Sequence, residues 1–377
     1  MKVRLWGVRG STPTPERGNE RYGGNTSCVE VRLDNNTLII LDCGTGLRAL
    51  GKSLLSEFAG RTIQAHIFLT HFHWDHIQGI PSFVPFYKKD NTFFFYSPLC
   101  RAAELRRTIE GMMGSPYFPV AMAAQRQFFH LGKTPVNING AVISPAPLHH
   151  PQGCAGYRID ADGSVFALAT DTEPGSRLHD RVLRALVQDA DLLLYDSQYT
   201  PQQSQGEKKG WGHSSWQDGV RLARQYGVKR LVLFHHDPDS DDSFVDALVA
   251  QAQKRFPNTI GGAEGLEFCL PTGEIRQASA FSRRSIPRKK ELTTARRSRK
   301  PNSRFQIPES CGKKDRSEGE SSQATKRLTN RSTEHTEITE RSRGSLHISG
   351  PAKAQFTIES ARSSQEATEA PHPLAGL

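Results

Sequence analysis

The sequence predicts an α/β protein in which two mixed β-sheets carry helices on their outer faces. Short runs rich in Val, Ile, Leu and Phe alternate with helical stretches, and some of these runs also follow one another directly. A plain doubly wound parallel sheet does not produce that second pattern. The polar motifs fall at strand ends, where a fixed scaffold presents catalytic groups.

Strands are expected over 29–33, 37–41, 63–69, 92–96, 141–146, 156–159, 165–169, 192–195 and 231–234. Each is short, apolar and bounded by Gly, Pro, Asn or Asp. Helices are expected over 46–57, 101–112, 175–189, 214–226 and 243–255. In the fourth of these, Val220, Ala223 and Tyr226 recur at helical spacing, with Ser214 or Ser215 placed to cap it. No internal repeat at a fixed period of about 20–50 residues stands out.

Composition divides the 377-residue chain near position 280. All four tryptophans (Trp6, Trp74, Trp211, Trp216) lie before it. After it come Ser, Arg, Thr, Glu and Lys, as in Arg296-Arg297-Ser298-Arg299-Lys300, with no tryptophan or tyrosine. Residues 281–377 are therefore expected to form a disordered basic tail, because such a composition buries too little surface to offset its ordering entropy. The tail holds 20 Lys and Arg against 11 Asp and Glu; the whole chain's 49 against 39 leaves 29 against 28 for residues 1–280. Either the tail is simply solvated, or its charge holds RNA or an anionic membrane surface.

The amino terminus lacks the apolar core of a signal peptide, and no window reaches the roughly 18 apolar residues of a membrane span. The six cysteines are scattered without a C-x-x-C pair, which points to reduced thiols in a cytoplasmic protein. Oligomeric state stays open, a homodimer included.

The chemistry is concentrated in Thr70-His71-Phe72-His73-Trp74-Asp75-His76, directly after the apolar run Ile67-Phe68-Leu69. In a loop leaving a strand, His71 and His73 project the same way. Asp75 and His76 begin the next turn and point to a second centre. A borderline-soft divalent ion such as zinc takes imidazole nitrogen and carboxylate oxygen in this manner, and manganese or iron is an alternative.

H-x-H-x-D-H after an apolar strand resembles the signature of the metallo-β-lactamase-fold hydrolases. The resemblance covers residues 1–275 and implies a four-layer αβ/βα sandwich with two divalent metals at the edge shared by its sheets. It implies a later histidine, supplied by His150, with His149 as the rival. It also implies a carboxylate ending a strand, Asp171 in Ala169-Thr170-Asp171, and a last histidine, His235, with His236 as the alternative. In the early turn Asp42-Cys43-Gly44, Asp42 is placed to orient a ligand from behind. Seven ligands follow: His71, His73, Asp75, His76, His150, Asp171 and His235.

Two stretches are similar to the phosphodiesterase branch, which includes ribonuclease Z and small cyclic-phosphate phosphodiesterases. One is Gly10-Ser11-Thr12-Pro13 with Tyr22-Gly23-Gly24-Asn25-Thr26, where Asn25 or Thr26 could donate to an anionic oxygen of the substrate. The other is Gly210-Trp211-Gly212-His213-Ser214-Ser215, similar to a Gly-His-Ser-Thr element but with Ser215 in the place of threonine. The implied reaction is attack on phosphorus by a hydroxide shared between the metals, with Asp75 holding the water and His213 donating to the leaving oxygen or binding its charge. A near-neutral domain without a long basic arm favours a small phosphodiester, such as a cyclic nucleotide. The alternatives are a tRNA 3′-processing endonuclease anchored by the tail, a lactamase or thioesterase, and a metal-binding regulatory module without turnover.

Overall fold

A computed structural model describes residues 1–277. The chain opens with β1 (Lys2–Gly7), β2 (Cys28–Arg32), β3 (Leu38–Leu41) and α1 (Gly46–Phe58). Next come β4 (Gln64–Phe68), α2 (Trp74–Ile77), β5 (Thr92–Ser97), α3 (Ala102–Met112), β6 (Gln125–His130) and β7 (Val136–Ile138). The second half holds β8 (Ala141–Leu148), β9 (Cys154–Ala161), β10 (Ser164–Ala169), α4 (Arg177–Val187), β11 (Leu192–Asp196) and α5 (Pro201–Gln205). It ends with α6 (Trp216–Gln225), β12 (Leu231–Phe234), α7 (Asp242–Gln253), β13 (Thr259–Gly261), β14 (Leu266–Cys269) and β15 (Glu274–Gln277).

The strands form two mixed sheets, ordered β15-β14-β1-β2-β3-β4-β5-β6 and β13-β12-β11-β10-β9-β8-β7. In the first, β3 to β6 run parallel and the other neighbours are antiparallel. In the second, β10 to β13 run parallel, while β7 to β10 pair antiparallel.

Side-chain alternation sets the layers. Ile39 and Leu41 of β3 join one core with Phe166 and Leu168 of β10 and Leu192 and Leu194 of β11, which lies between the sheets. The intervening Leu38 and Ile40 face the other way, into a core closed by Leu47, Leu50 and Leu54 of α1 and Leu105 and Ile109 of α3. Ala167, Leu193 and Tyr195 likewise face Leu183 of α4, Val220 of α6 and Val245 of α7. Each fully buried leucine or phenylalanine in these layers contributes roughly 1.5–3 kcal/mol. Two sheets with helices outside are the expected architecture.

All nine expected strands form, with ends shifted by up to two residues. β1, β6, β7, β13, β14 and β15 were not expected. β7 and β13 have three residues each, and every residue of the edge strand β15 is exposed. Ser215 caps α6 through a reciprocal box with Asp218. The expected disordered segment 281–377 lies outside the described residues.

Candidate metal centre

Five of the residues singled out from the sequence stand just beyond strand ends. Asp42 follows β3, His71 follows β4, His150 follows β8, Asp171 follows β10 and His235 follows β12. The carboxyl edge of parallel strands is where open α/β sheets hold ligands. Asp42, Asp171 and His235 have φ of 60°, 54° and 60°, and Ser11 has 61°. Left-handed backbone turns the chain sharply at these points, and Asp and His tolerate it better than most residues.

Four overlapping donor groups result among the described residues, two of which include His213 (with His150 and Asp171, and with Asp196 and His235); the other two draw only on the seven expected ligands. His71, His73 and His150 form one; Asp75, His76, Asp171 and His235 form the other. In each, the candidate ligand atoms lie within 4.8 Å of one another. Asp171 links them. Its Oδ1 is 3.8 Å from Nε2 of both His71 and His150, whereas its Oδ2 is 3.2 Å from His76 Nε2 and 3.4 Å from His235 Nε2.

Outer hydrogen bonds fix the tautomer of each ring. His150 Nδ1 donates to the Gly212 carbonyl (2.9 Å), His235 Nδ1 to Gln198 Oε1 (2.8 Å) and His73 Nε2 to Gln152 Oε1 (3.1 Å). His76 Nδ1 donates to Asp42 Oδ2 (2.7 Å). Thr70 Oγ1, which donates to Asp42, accepts from His71 Nδ1 at 3.1 Å. Every ring therefore turns its other nitrogen inward. A carbonyl, carboxylate or hydroxyl behind a ligating histidine holds it in that state. Gly212 has φ 87°, and a Cβ there would stand 2.3 Å from His150 Nδ1, so the close approach needs glycine.

Protein groups do not satisfy all of the inward atoms. His71 Nε2 is buried without a hydrogen-bond partner. His76 Nε2 and His235 Nε2 face each other at 3.3 Å, as do His150 Nε2 and His73 Nδ1 at 3.2 Å. Opposed lone pairs repel unless a cation or proton lies among them. Burial lowers the pKa of His71 and His150, holding them neutral. Burial also opposes charge on His76, Asp75 and Asp171, yet the three carboxylates around His76 raise its pKa well above the usual imidazole range. The neighbouring histidines bring Asp75 and Asp171 below the usual carboxylate range, so without a metal a proton shared with His76 takes the cation's place. Five imidazole nitrogens and two carboxylates suit two borderline divalent cations. The residues fit the ions that the fold implies.

Asp42 is fully buried and accepts from the Thr70 amide (2.8 Å) as well as from His76. His149 turns away, bonded to the Glu173 carbonyl (3.0 Å) and stacked on His179. His236 also turns away, with Nε2 on the Gly262 carbonyl (2.8 Å). The rivalry thus falls to His150 and His235, the members that join the cluster.

Asn25 and Thr26, expected to meet an anionic oxygen of the substrate, are both engaged by protein groups. Asn25 gives its amide N–H and its Nδ2 to Glu264, at 2.7 and 3.0 Å. Thr26 is fully buried and exchanges hydrogen bonds with Thr45 at 2.9 Å each. Both are committed to holding the turn. The neighbouring segment reaches the centre through Ser11, whose amide donates to Asp75 Oδ2 at 2.8 Å.

His213 borders a cavity of about 390 Å³ that is also lined by Asp75, Asp171 and His235. Its Nδ1 donates to Asp196 Oδ2 at 2.8 Å and lies 3.9 Å from Asp171 Oδ1. Burial lowers its pKa, but the charge and hydrogen bond of Asp196 outweigh this and raise it to about 9. Glu173 fastens the loop before it, accepting from the amides of Gly210 and Gly212 at 2.9 Å each. Asp196, Gln198, Gln152 and Glu173 were not anticipated from sequence. Asp196 carried a usable signal, since it ends an apolar strand as Asp171 does.

A β-lactamase superfamily domain model matches residues 37–236. Ribonuclease Z of Haloarcula marismortui is 25% identical over 71% of this chain and 96% of its own length. That alignment has 317 positions but takes in about 268 of the 377 residues here, so about 49 positions of it face gaps in this chain. The metallo-β-lactamase-fold protein YhfI of Bacillus subtilis superposes with a TM-score of 0.55 at 18% identity, over 71% of this chain and 98% of its own. The short form of human tRNase Z gives 0.52 at 20% identity, over 72% and 100%. A domain match across more than half the sequence, on two sheets meeting at a histidine-rich edge, makes this chain a member of the β-lactamase superfamily and a metal-dependent hydrolase.

Proposed function

We propose that the protein is a two-metal phosphodiesterase acting on RNA, with chemistry of the ribonuclease Z kind. The observation that carries this reading is the His213–Asp196 pair beside the two donor groups. A module that only binds metal has no use for a buried acid at the cavity wall. His71, His73 and His150 would hold one cation, Asp75, His76 and His235 the other, and Asp171 would serve both. Such ions supply Lewis-acid charge neutralisation and a nucleophile from water at neutral pH. His213 protonates the leaving oxygen, and Asp196 fixes its tautomer and keeps it charged. Asp75, held by the Ser11 amide, orients the attacking water.

RNA as the substrate is supported by the curated relatives and by the basic tail. A short phosphodiester, cyclic or linear, is the second reading. It is favoured by the relative's segments that have no counterpart here and by the near-neutral charge of residues 1–280. We place the protein in the cytoplasm as part of this proposal; among the described residues no helix is long and apolar enough to cross a membrane.

The test is hydrolysis by the purified protein with zinc or manganese. Substrates are bis-p-nitrophenyl phosphate, 2′,3′- and 3′,5′-cyclic nucleotides, and a precursor tRNA. Cleavage of the precursor at its 3′ end establishes the first reading. Activity on the small diesters without tRNA cleavage moves the substrate to the second. Inertness toward all of them, with metals bound, overturns the phosphodiesterase assignment.

A further inference from the structure

The cavity over the donor groups has one feature that phosphodiester hydrolysis alone does not require. Trp74, between His73 and Asp75 at the start of α2, is 65% exposed and lines that cavity together with Phe72. Among the described residues it is the one large exposed hydrophobic side chain that does so. No ring stacks on it and no cation covers it among the described residues. Trp211, the other exposed tryptophan, has Lys208 Nζ 4.0 Å from its ring centroid. An indole left in water at the mouth of a polar site offers a flat π-face to a flat partner.

We propose that Trp74 is a nucleobase platform, so that the substrate carries a purine or pyrimidine beside its scissile phosphodiester and stacks that base on the indole. The inference rests on the phosphodiesterase reading and adds the chemistry of the flanking group. The rest of the cavity wall is Ser, His and Asp apart from Phe72, so the acyl chain of a lipid diester finds no apolar continuation there. A base needs only the exposed face and tolerates a polar surround. Stacking of one base on an aromatic side chain changes affinity by about 5- to 150-fold.

Two esters with the same leaving group isolate the effect. The full-length protein, supplied with manganese, is assayed on thymidine 5′-p-nitrophenyl phosphate and on methyl p-nitrophenyl phosphate. The wild type is expected to favour the nucleoside ester in kcat/KM. Trp74→Ala is expected to reduce that preference at least about 5-fold, mainly through KM, and Trp74→Phe to retain most of it. The ratio cancels any displacement of His73 or Asp75 that affects both esters. Equal use of the two esters by the wild type, or an unchanged ratio in Trp74→Ala, overturns the platform while leaving the phosphodiesterase reading in place. Should neither ester be cleaved, the precursor tRNA assay decides that reading, and tryptophan fluorescence decides the platform alone. Adenosine 5′-monophosphate should quench the wild type where ribose 5-phosphate does not, and Trp74→Phe should abolish the difference. Equal quenching by both compounds, or a difference that persists in Trp74→Phe, overturns it.

Discussion

Replacing Asp196 with asparagine tests the acid role of His213 without removing the histidine. Asp196 is fully buried and accepts four N–H groups: His213 Nδ1 (2.8 Å), Thr172 N (3.2 Å), Gln198 N (3.1 Å) and Ser214 N (3.3 Å). Asparagine keeps the shape but sets an NH₂ against two of those donors and removes the charge. With Asp196 present, the pKa of His213 rises from the ordinary 6.5 to about 9. That rise corresponds to about 3 kcal/mol, at about 1.36 kcal/mol per pH unit. Without it, only the smaller pulls of Asp171 and Asp75 oppose burial, and the pKa of the ring falls. Cations in the centre push the wild-type value down, so its alkaline limb should lie at or below pH 9.

General-acid catalysis is worth roughly 10²- to 10⁴-fold, and most where the leaving group is poor. Asp196→Asn is therefore expected to cut kcat by about that factor on a diester with an alkyl alcohol leaving group. On p-nitrophenolate, which departs without a proton, the loss should be below about 10-fold. The assay is the pair of pH–kcat profiles with metal content measured in parallel. Equal losses on the two leaving groups, at unchanged metal content, would refute an acid at His213 and leave Asp196 as mere scaffolding.

His213→Ala is expected to retain both metals by elemental analysis and to lose most turnover on the alkyl ester. Asp42→Asn should leave the fold intact but weaken metal binding by roughly 10- to 100-fold in a chelator titration, because His76 loses the carboxylate that orients it. In chelator-treated protein the raised pKa of His213 should contribute stability that is complete below pH 6.5 and lost as the pH rises through about 9. Urea unfolding at both ends of that window should differ by up to about 3 kcal/mol, and Asp196→Asn should flatten the slope. A chain ended after Phe281 should fold and hydrolyse small diesters like the full chain; aggregation would show that residues beyond 281 belong to the folded unit.

The strands and the seven clustered side chains were legible because both follow from local rules. Buried strands such as β11 are continuous apolar runs, and the ligands sit at their ends as His and Asp, residue types that stand out against that background. What escaped depends on distant geometry. Nothing near Gln198 or Gln152 in sequence announces that an amide oxygen will meet His235 or His73. The partners of Asn25 and Thr26 escaped for the same reason. Their donors meet Glu264 and Thr45, positions that only the fold brings alongside. The polar edge strand β15 lacked the alternation by which a strand is recognised, because neither of its faces is buried.

The strained backbone points back to the chemistry. Asp42, Asp171, His235 and Ser11 all hold left-handed φ values, each at roughly 1–2 kcal/mol for a residue with a Cβ. A glycine would relieve that cost, but it carries no donor atom, and Asp42, Asp171 and His235 must present a carboxylate or an imidazole from the turn itself. Gly10 shows the converse. Its backbone passes so close to His235 that a Cβ would stand 2.4 Å from Nδ1, so here the side chain is given up to make room for the ligand. Strain where a donor is needed and glycine where space is needed, along one edge of two sheets, mean that the scaffold is shaped around the inward lone pairs. In the protein alone the inward nitrogens crowd one another with too few protons to share, so the cations that would join them also stabilise the fold that presents them.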